Sequence, residues 1–116
     1  MDASLRGDRD YIYEVLCAQV DEARVIPKWG MSDKRVEEVS TYNWATDEII
    51  DEIENSFFTT SEDYTNPDAL NFAKHIVWEF AERMDLYSRI HKRTQELFLV
   101  AKGAAEDMLD LLNAME

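Results

Sequence analysis

The chain has 116 residues, 46% of them apolar, including three Trp, five Tyr and five Phe. That content argues against a disordered chain and suits one packed domain spanning 1–116. Twenty-five acids against twelve bases leave a net charge of −13, so most of the surface should repel nucleic acid and anionic lipid.

Three Gly and two Pro leave little loop and favour an all-α chain. Cys17 is the only cysteine, which rules out an internal disulfide and predicts a reducing, cytoplasmic location. No apolar run approaches the roughly 18 residues of a membrane span, and no basic start leads into an apolar stretch. Neither a membrane-spanning chain nor one secreted by a standard signal is expected.

Asp8 or Asp10 can cap a first helix that runs to about Val25. Its apolar stripe is Ile12, Leu16, Val20 and Ala23, with Tyr13 and Cys17 beside it. Pro27 disfavours helical geometry at Ile26 and ends the helix. Lys28-Trp29-Gly30 predicts a turn, with Trp29 folded back onto the core. Ser32 caps a short second helix to about Ser40, where Met31 and Val36 fit a hydrophobic staple. Ser40-Thr41-Tyr42-Asn43 predicts an interruption. Asn43 or Thr46 then starts a third helix that buries Ile49, Ile50, Ile53, Phe57 and Trp44. Residues 59–65 form a polar loop. Asn66-Pro67-Asp68 opens the next helix with a cap, a proline at the first helical position and an acid in the first turn.

From there Leu70, Ala73, Val77, Phe80, Met84 and Tyr87 step by three and four. After polar His91 and Thr94 the same frame resumes at Phe98, Ala101, Ala105, Met108, Leu112 and Met115. This heptad seam predicts helix across residues 66–115, as one rod or as a hairpin turned near residues 88–95. An unbroken rod over residues 70–115 would span roughly 70 Å, far longer than a domain of this size needs. The expected fold is all-α, with four to five helices and a long C-terminal hairpin or coiled-coil-like seam. Val77, Phe80, Met84, Tyr87, Phe98, Met108 and Leu112 are expected in a buried seam, within the chain or between copies, which predicts a homo-oligomer.

Motifs that carry chemistry are few. Three glycines at 7, 30 and 103 cannot form a phosphate loop. His75 and Glu79 stand at i, i+4, yet no second His-containing pair completes a zinc site. Cys17 has no basic neighbour and reads as a buried structural thiol. Arg89, His91, Lys92 and Arg93 form a basic cluster suited to a helix end or to pairing with the acids of the third helix.

The acids are concentrated. Residues 31–64 hold ten, against Lys34 and Arg35 alone. Asp47, Glu48, Asp51, Glu52 and Glu54 form a candidate acidic face for a protein partner with a basic surface. Carboxylates along helices can reproduce the phosphate spacing of duplex DNA, a device of small acidic phage inhibitors. The leading expectation is therefore a non-enzymatic protein–protein binder of this inhibitor or DNA-mimic kind. It needs no cofactor and makes no direct contact with nucleic acid or membrane.

A second reading rests on Glu48-Ile-Ile-Asp51 and Asp107-Met-Leu-Asp110, each with two carboxylates on one helical face. This spacing resembles that of the all-α nucleoside triphosphate pyrophosphatases of the MazG type. Those carry a Glu-x-x-Glu pair and a later Glu-x-x-Asp pair; Asp51 and Asp107 stand where that pattern has Glu. The resemblance implies a Mg²⁺-dependent pyrophosphohydrolase with Glu48, Asp51, Asp107 and Asp110 as metal ligands. A third reading is a structural oligomerisation module built on the seam alone.

Overall fold

Apolar residues recurring at three- and four-residue steps fold the chain into helices throughout the described part, residues 9–24, 29–58 and 69–115 of the computed structural model. Helix α1 spans Arg9–Ala23, α2 Asp33–Phe58, α3 Ala69–Ile90 and α4 Gln95–Ala114, with a 3₁₀ turn at Lys92–Thr94 between the last two. No strand occurs among the described residues, and the fold is all-α. The Asp8 cap, the Pro27 stop, the 59–65 loop and the Asn66-Pro67-Asp68 start lie outside the described residues, as do the side chains of Ala23 and Phe57.

The short helix and the interruption expected near residue 40 are replaced by one helix of 26 residues, α2. Ser32 opens it: its Oγ accepts the backbone N–H of Arg35 at 3.2 Å. Thr46, expected as a possible start, lies in the interior and is buried; its hydroxyl donates to the Asn43 carbonyl at 2.9 Å. What carries the helix through is its inner stripe. Val39, Ala45, Ile49 and Ile53 are buried, with Tyr42 half-buried between them. That packing outweighs the weak helix propensity of Ser40, Thr41 and Asn43.

The seam over residues 70–115 is a hairpin. His91 leaves helical geometry at φ −102°, ψ 84°, and no residue of the 3₁₀ turn is buried. Asp85 ties the two arms, bonding Arg89 at 2.6 Å and the Lys102 Nζ of α4 at 3.1 Å. Tyr87, His91 and Phe98 stack over the turn with ring centroids 5.5–6.1 Å apart. Ser88, buried in the last turn of α3, donates to the Asp85 carbonyl at 2.6 Å.

Cross-helix contacts fix the directions. Tyr42 meets Asp107 and Lys34 meets Glu96, so α2 and α4 run parallel. Tyr13 meets Glu54 and Arg24 meets Asp47, so α1 runs antiparallel to α2. Helix α2 meets α3 through Trp44 against Phe80 and Glu52 against Arg83. The shared core is Ile12, Leu16 and Val20 of α1, Ala45, Ile49 and Ile53 of α2, and the inner stripes of the hairpin. Six alanines at the hairpin core, Ala69, Ala73, Ala81, Ala101, Ala104 and Ala105, leave room for close backbones.

Seam residues Val77, Phe80, Met84, Met108 and Leu112 are thus buried within one chain. Phe98 is half-buried and Tyr87 remains over a third exposed. The seam therefore supplies no reason of its own for a second copy. Trp29 does not fold back: it is fully exposed, because Gly30 takes a left-handed φ of +90° and turns the chain there. Trp44, expected inside, is 47% exposed.

Candidate functional site: the outer face of α2

At 100° per residue, Asp33, Glu37, Ser40, Trp44, Asp47, Glu48, Asp51 and Glu54 share one face of α2, and all are exposed. Eight acids against two bases lie on this helix. From Asp33 to Asp51 the row runs roughly 27 Å at 1.5 Å per residue. Because α2 is unbroken, these groups are held on one rigid rod.

The five residues expected as the acidic face do not behave alike. Glu48 and Asp51 point to solvent without an ion pair to any described residue. Asp47 is neutralised at the edge by Arg24 of the α1 end. Glu54 accepts a hydrogen bond from the Tyr13 hydroxyl at 3.1 Å. Glu52 is turned off the face toward α3, where Arg83 donates to its Oε1 at 2.7 Å, leaving Oε2 buried and without a protein partner. Arg83 also lies over the Phe80 ring at 5.4 Å. Asp33, Glu37 and Trp44 belong on the face although the five residues expected to form it did not include them. Continuity of α2 is the signal that would have found them.

The four carboxylates of the metal reading do not converge. Among the described residues no three His, Cys, Asp or Glu side chains come together as a ligand set. Asp107 instead accepts a short hydrogen bond, 2.6 Å, from the Tyr42 hydroxyl. Burial, with the Asp107 carboxylate, pushes the Tyr42 phenol up to about 12. His75 bonds Glu79 at 3.0 Å on the exposed side of α3, and no further ligand among the described residues joins them.

Cys17 is half-buried in α1. Burial pushes its thiol up; the neighbouring Tyr13 hydroxyl opposes the shift, while Asp21 and Glu54 add to it. The thiolate is therefore scarce at neutral pH and the group is a poor nucleophile. Burial, Cys17 and Glu54 likewise raise the Tyr13 phenol above the ordinary tyrosine value.

Of the basic cluster, Arg89 is committed to Asp85, while Arg93 lines a cleft with Lys34, Glu37, Glu38 and Glu96. No helix among the described residues is long and apolar enough to cross a membrane. Comparison with known proteins finds no family model that matches the chain, no similar curated protein and no similar solved structure.

Proposed function

We propose that the protein is a non-enzymatic binder that presents the outer face of α2 to a basic protein surface. The observation that carries this reading is the alignment of Asp33, Glu37, Glu48 and Asp51 along one exposed row with Trp44 between them. Carboxylates in a row steer a basic partner in and set its register. An exposed Trp supplies what charge alone lacks, a large apolar anchor of the kind that dominates binding energy. A groove built to hold the phosphates of a nucleic acid is the partner surface that best suits a linear row of this length. The protein then acts as an inhibitor of a nucleic-acid-handling protein.

The test uses the protein immobilised beside a Glu37→Lys, Glu48→Lys, Asp51→Lys triple variant. Both are challenged with cell extract at about 50 and 500 mM salt, where the Debye length falls by about threefold. Proteins held by the first, lost by the second, released at high salt and displaced by duplex DNA support the reading. Retention that is the same for both proteins, or that strengthens with salt, overturns it.

A further inference from the structure

Two arginines from outside α2 already dock on its carboxylates. Arg24, just past the end of α1, holds Asp47. Arg83 of α3 donates to Glu52 at 2.7 Å, and its guanidinium carbon lies 5.4 Å from the centre of the Phe80 ring. This second site joins a carboxylate to an aromatic face, two partners that a planar guanidinium satisfies at once. Asp47 and Glu52 stand on opposite edges of the helix. Between them lie Glu48 and Asp51, exposed and without an ion pair to any described residue.

The same combination of groups recurs there, facing outward. Trp44 stands one turn before Glu48 and Asp51 one turn after it, so the three share the outer face. Helical side chains lean toward the amino end, which brings Glu48 back toward the Trp44 ring. Phe80 braces that ring from behind, with centroids 6.2 Å apart, while 47% of Trp44 stays open to solvent. Carboxylates alone attract lysine and arginine alike. An indole beside them favours arginine. Its guanidinium is weakly hydrated, stacks on rings and bonds a carboxylate through two parallel N–H groups, whereas an ammonium is a compact, strongly hydrated charge. We infer that Trp44, Glu48 and Asp51 form a subsite for an arginine of the partner, its guanidinium stacked on the indole and bonded to the carboxylates. The inference rests on the reading of this face as a docking surface for a basic protein and names the side chain that the face selects. Arg24 and Arg83 fill the edges of the acidic segment, and the partner's arginine fills its centre. Trp78 of α3 is similarly exposed but lacks this setting: His75 stacks on it at 6.2 Å, and Lys74 stands one turn before it.

Calorimetric titration of the full chain with oligoarginine and oligolysine peptides of equal length, at about 50 mM salt, is the test. The wild type should bind the arginine peptide at least roughly threefold more tightly. Trp44→Leu keeps an apolar side chain against Phe80 and should lower that ratio at least roughly twofold, while Trp78→Leu leaves it unchanged. Glu48→Gln should weaken binding of the arginine peptide more than Asp110→Asn does, although each removes one negative charge. Helical circular dichroism should be the same for all four variants. A wild type without preference for arginine overturns the inference, and so does a preference that survives both Trp44→Leu and Glu48→Gln. Failure of the underlying reading looks different: the Glu37→Lys, Glu48→Lys, Asp51→Lys triple variant then binds both peptides as tightly as the wild type, and the inference falls with it.

Discussion

Residues 40–43 and 91–94 are both short polar stretches set inside apolar-periodic segments, yet the first is threaded through α2 and the second turns the chain between α3 and α4. Local propensity does not separate them. Their surroundings do. Val39 and Ala45 are buried on either side of the first stretch, and Tyr42 within it reaches α4 to bond Asp107. In the second, His91, Lys92, Arg93 and Thr94 are all exposed, and Thr94 makes no side-chain cap. A helix persists through poor helix formers where its inner stripe still has something to bury against. Where two seam positions in succession turn polar, that support is gone and the chain is free to reverse.

The largest expected effect tests the hairpin that this reversal creates. Truncating the buried Phe80 to Ala should cost about 3–5 kcal/mol in urea unfolding, because the ring fills the contact with Trp44 and lies under Arg83. A loss below about 1 kcal/mol would mean that the α2–α3 contact is loose.

Proline placed in the two stretches sharpens the comparison itself. Ser40→Pro removes an interior helix bond of α2 and should cost about 3 kcal/mol or more. Lys92→Pro enters the first position of the 3₁₀ turn, after a residue already outside helical geometry, and should cost less than about 1 kcal/mol. Equal losses at the two sites would show that the turn is as rigidly specified as the helix.

A smaller gain is expected at Gly103. It lies inside α4, and a Cβ built there meets nothing within 4 Å. Gly103→Ala should stabilise by about 0.5–1 kcal/mol in thermal unfolding, through backbone entropy and helix propensity alone.

The smallest effect is a pH dependence of the bond that holds α2 to α4. The folded state raises the Tyr42 phenol from 10.0 to about 12, so it favours the protonated form. The contribution is complete below pH 10 and is lost as pH climbs from 10 to about 12. Tyr42→Phe should flatten that part of the stability profile, and an unchanged alkaline slope would reject the bond as its source. At the acid end Asp85 behaves in the opposite sense. Lys102 first, and Arg89 after it, hold its carboxyl below the usual 3.8, so its contribution is present above that value and fades as pH falls below it.

Much of this architecture was legible in the residues. Outside Tyr87, His91 and Thr94, the heptad frame from Leu70 to Met115 is the inner side of the hairpin, and the Ser32 cap stands where its residue type and spacing placed it. The 40–43 stretch was misread because propensity is local while the support from α4 is not. Trp29 and Trp44 were misread because an aromatic side chain does not announce which way it faces; Gly30 and the phase of α2 decide that. The acidic row was only half legible. Composition marks the segment as acidic, but the removal of Glu52 from the face by Arg83 and the pairing of Asp47 with Arg24 depend on helices distant in sequence.

The parallel course of α2 and α4 has a consequence for the molecule as a whole. Both amino ends lie beside the hairpin turn, so Lys34, Arg35, Arg89, Lys92 and Arg93 gather at one pole, where they offset Asp33, Glu37, Glu38 and Glu96. Toward the other pole lie Glu48, Asp51, Glu54, Glu106, Asp107 and Asp110. The dipoles of α2 and α4 point the same way, but α1 and α3 run against them, so the separation rests on the side chains. Among the described residues the net negative charge is thus carried unevenly along the molecule. In the field of a cationic body it experiences a torque before contact that brings the carboxylate pole forward.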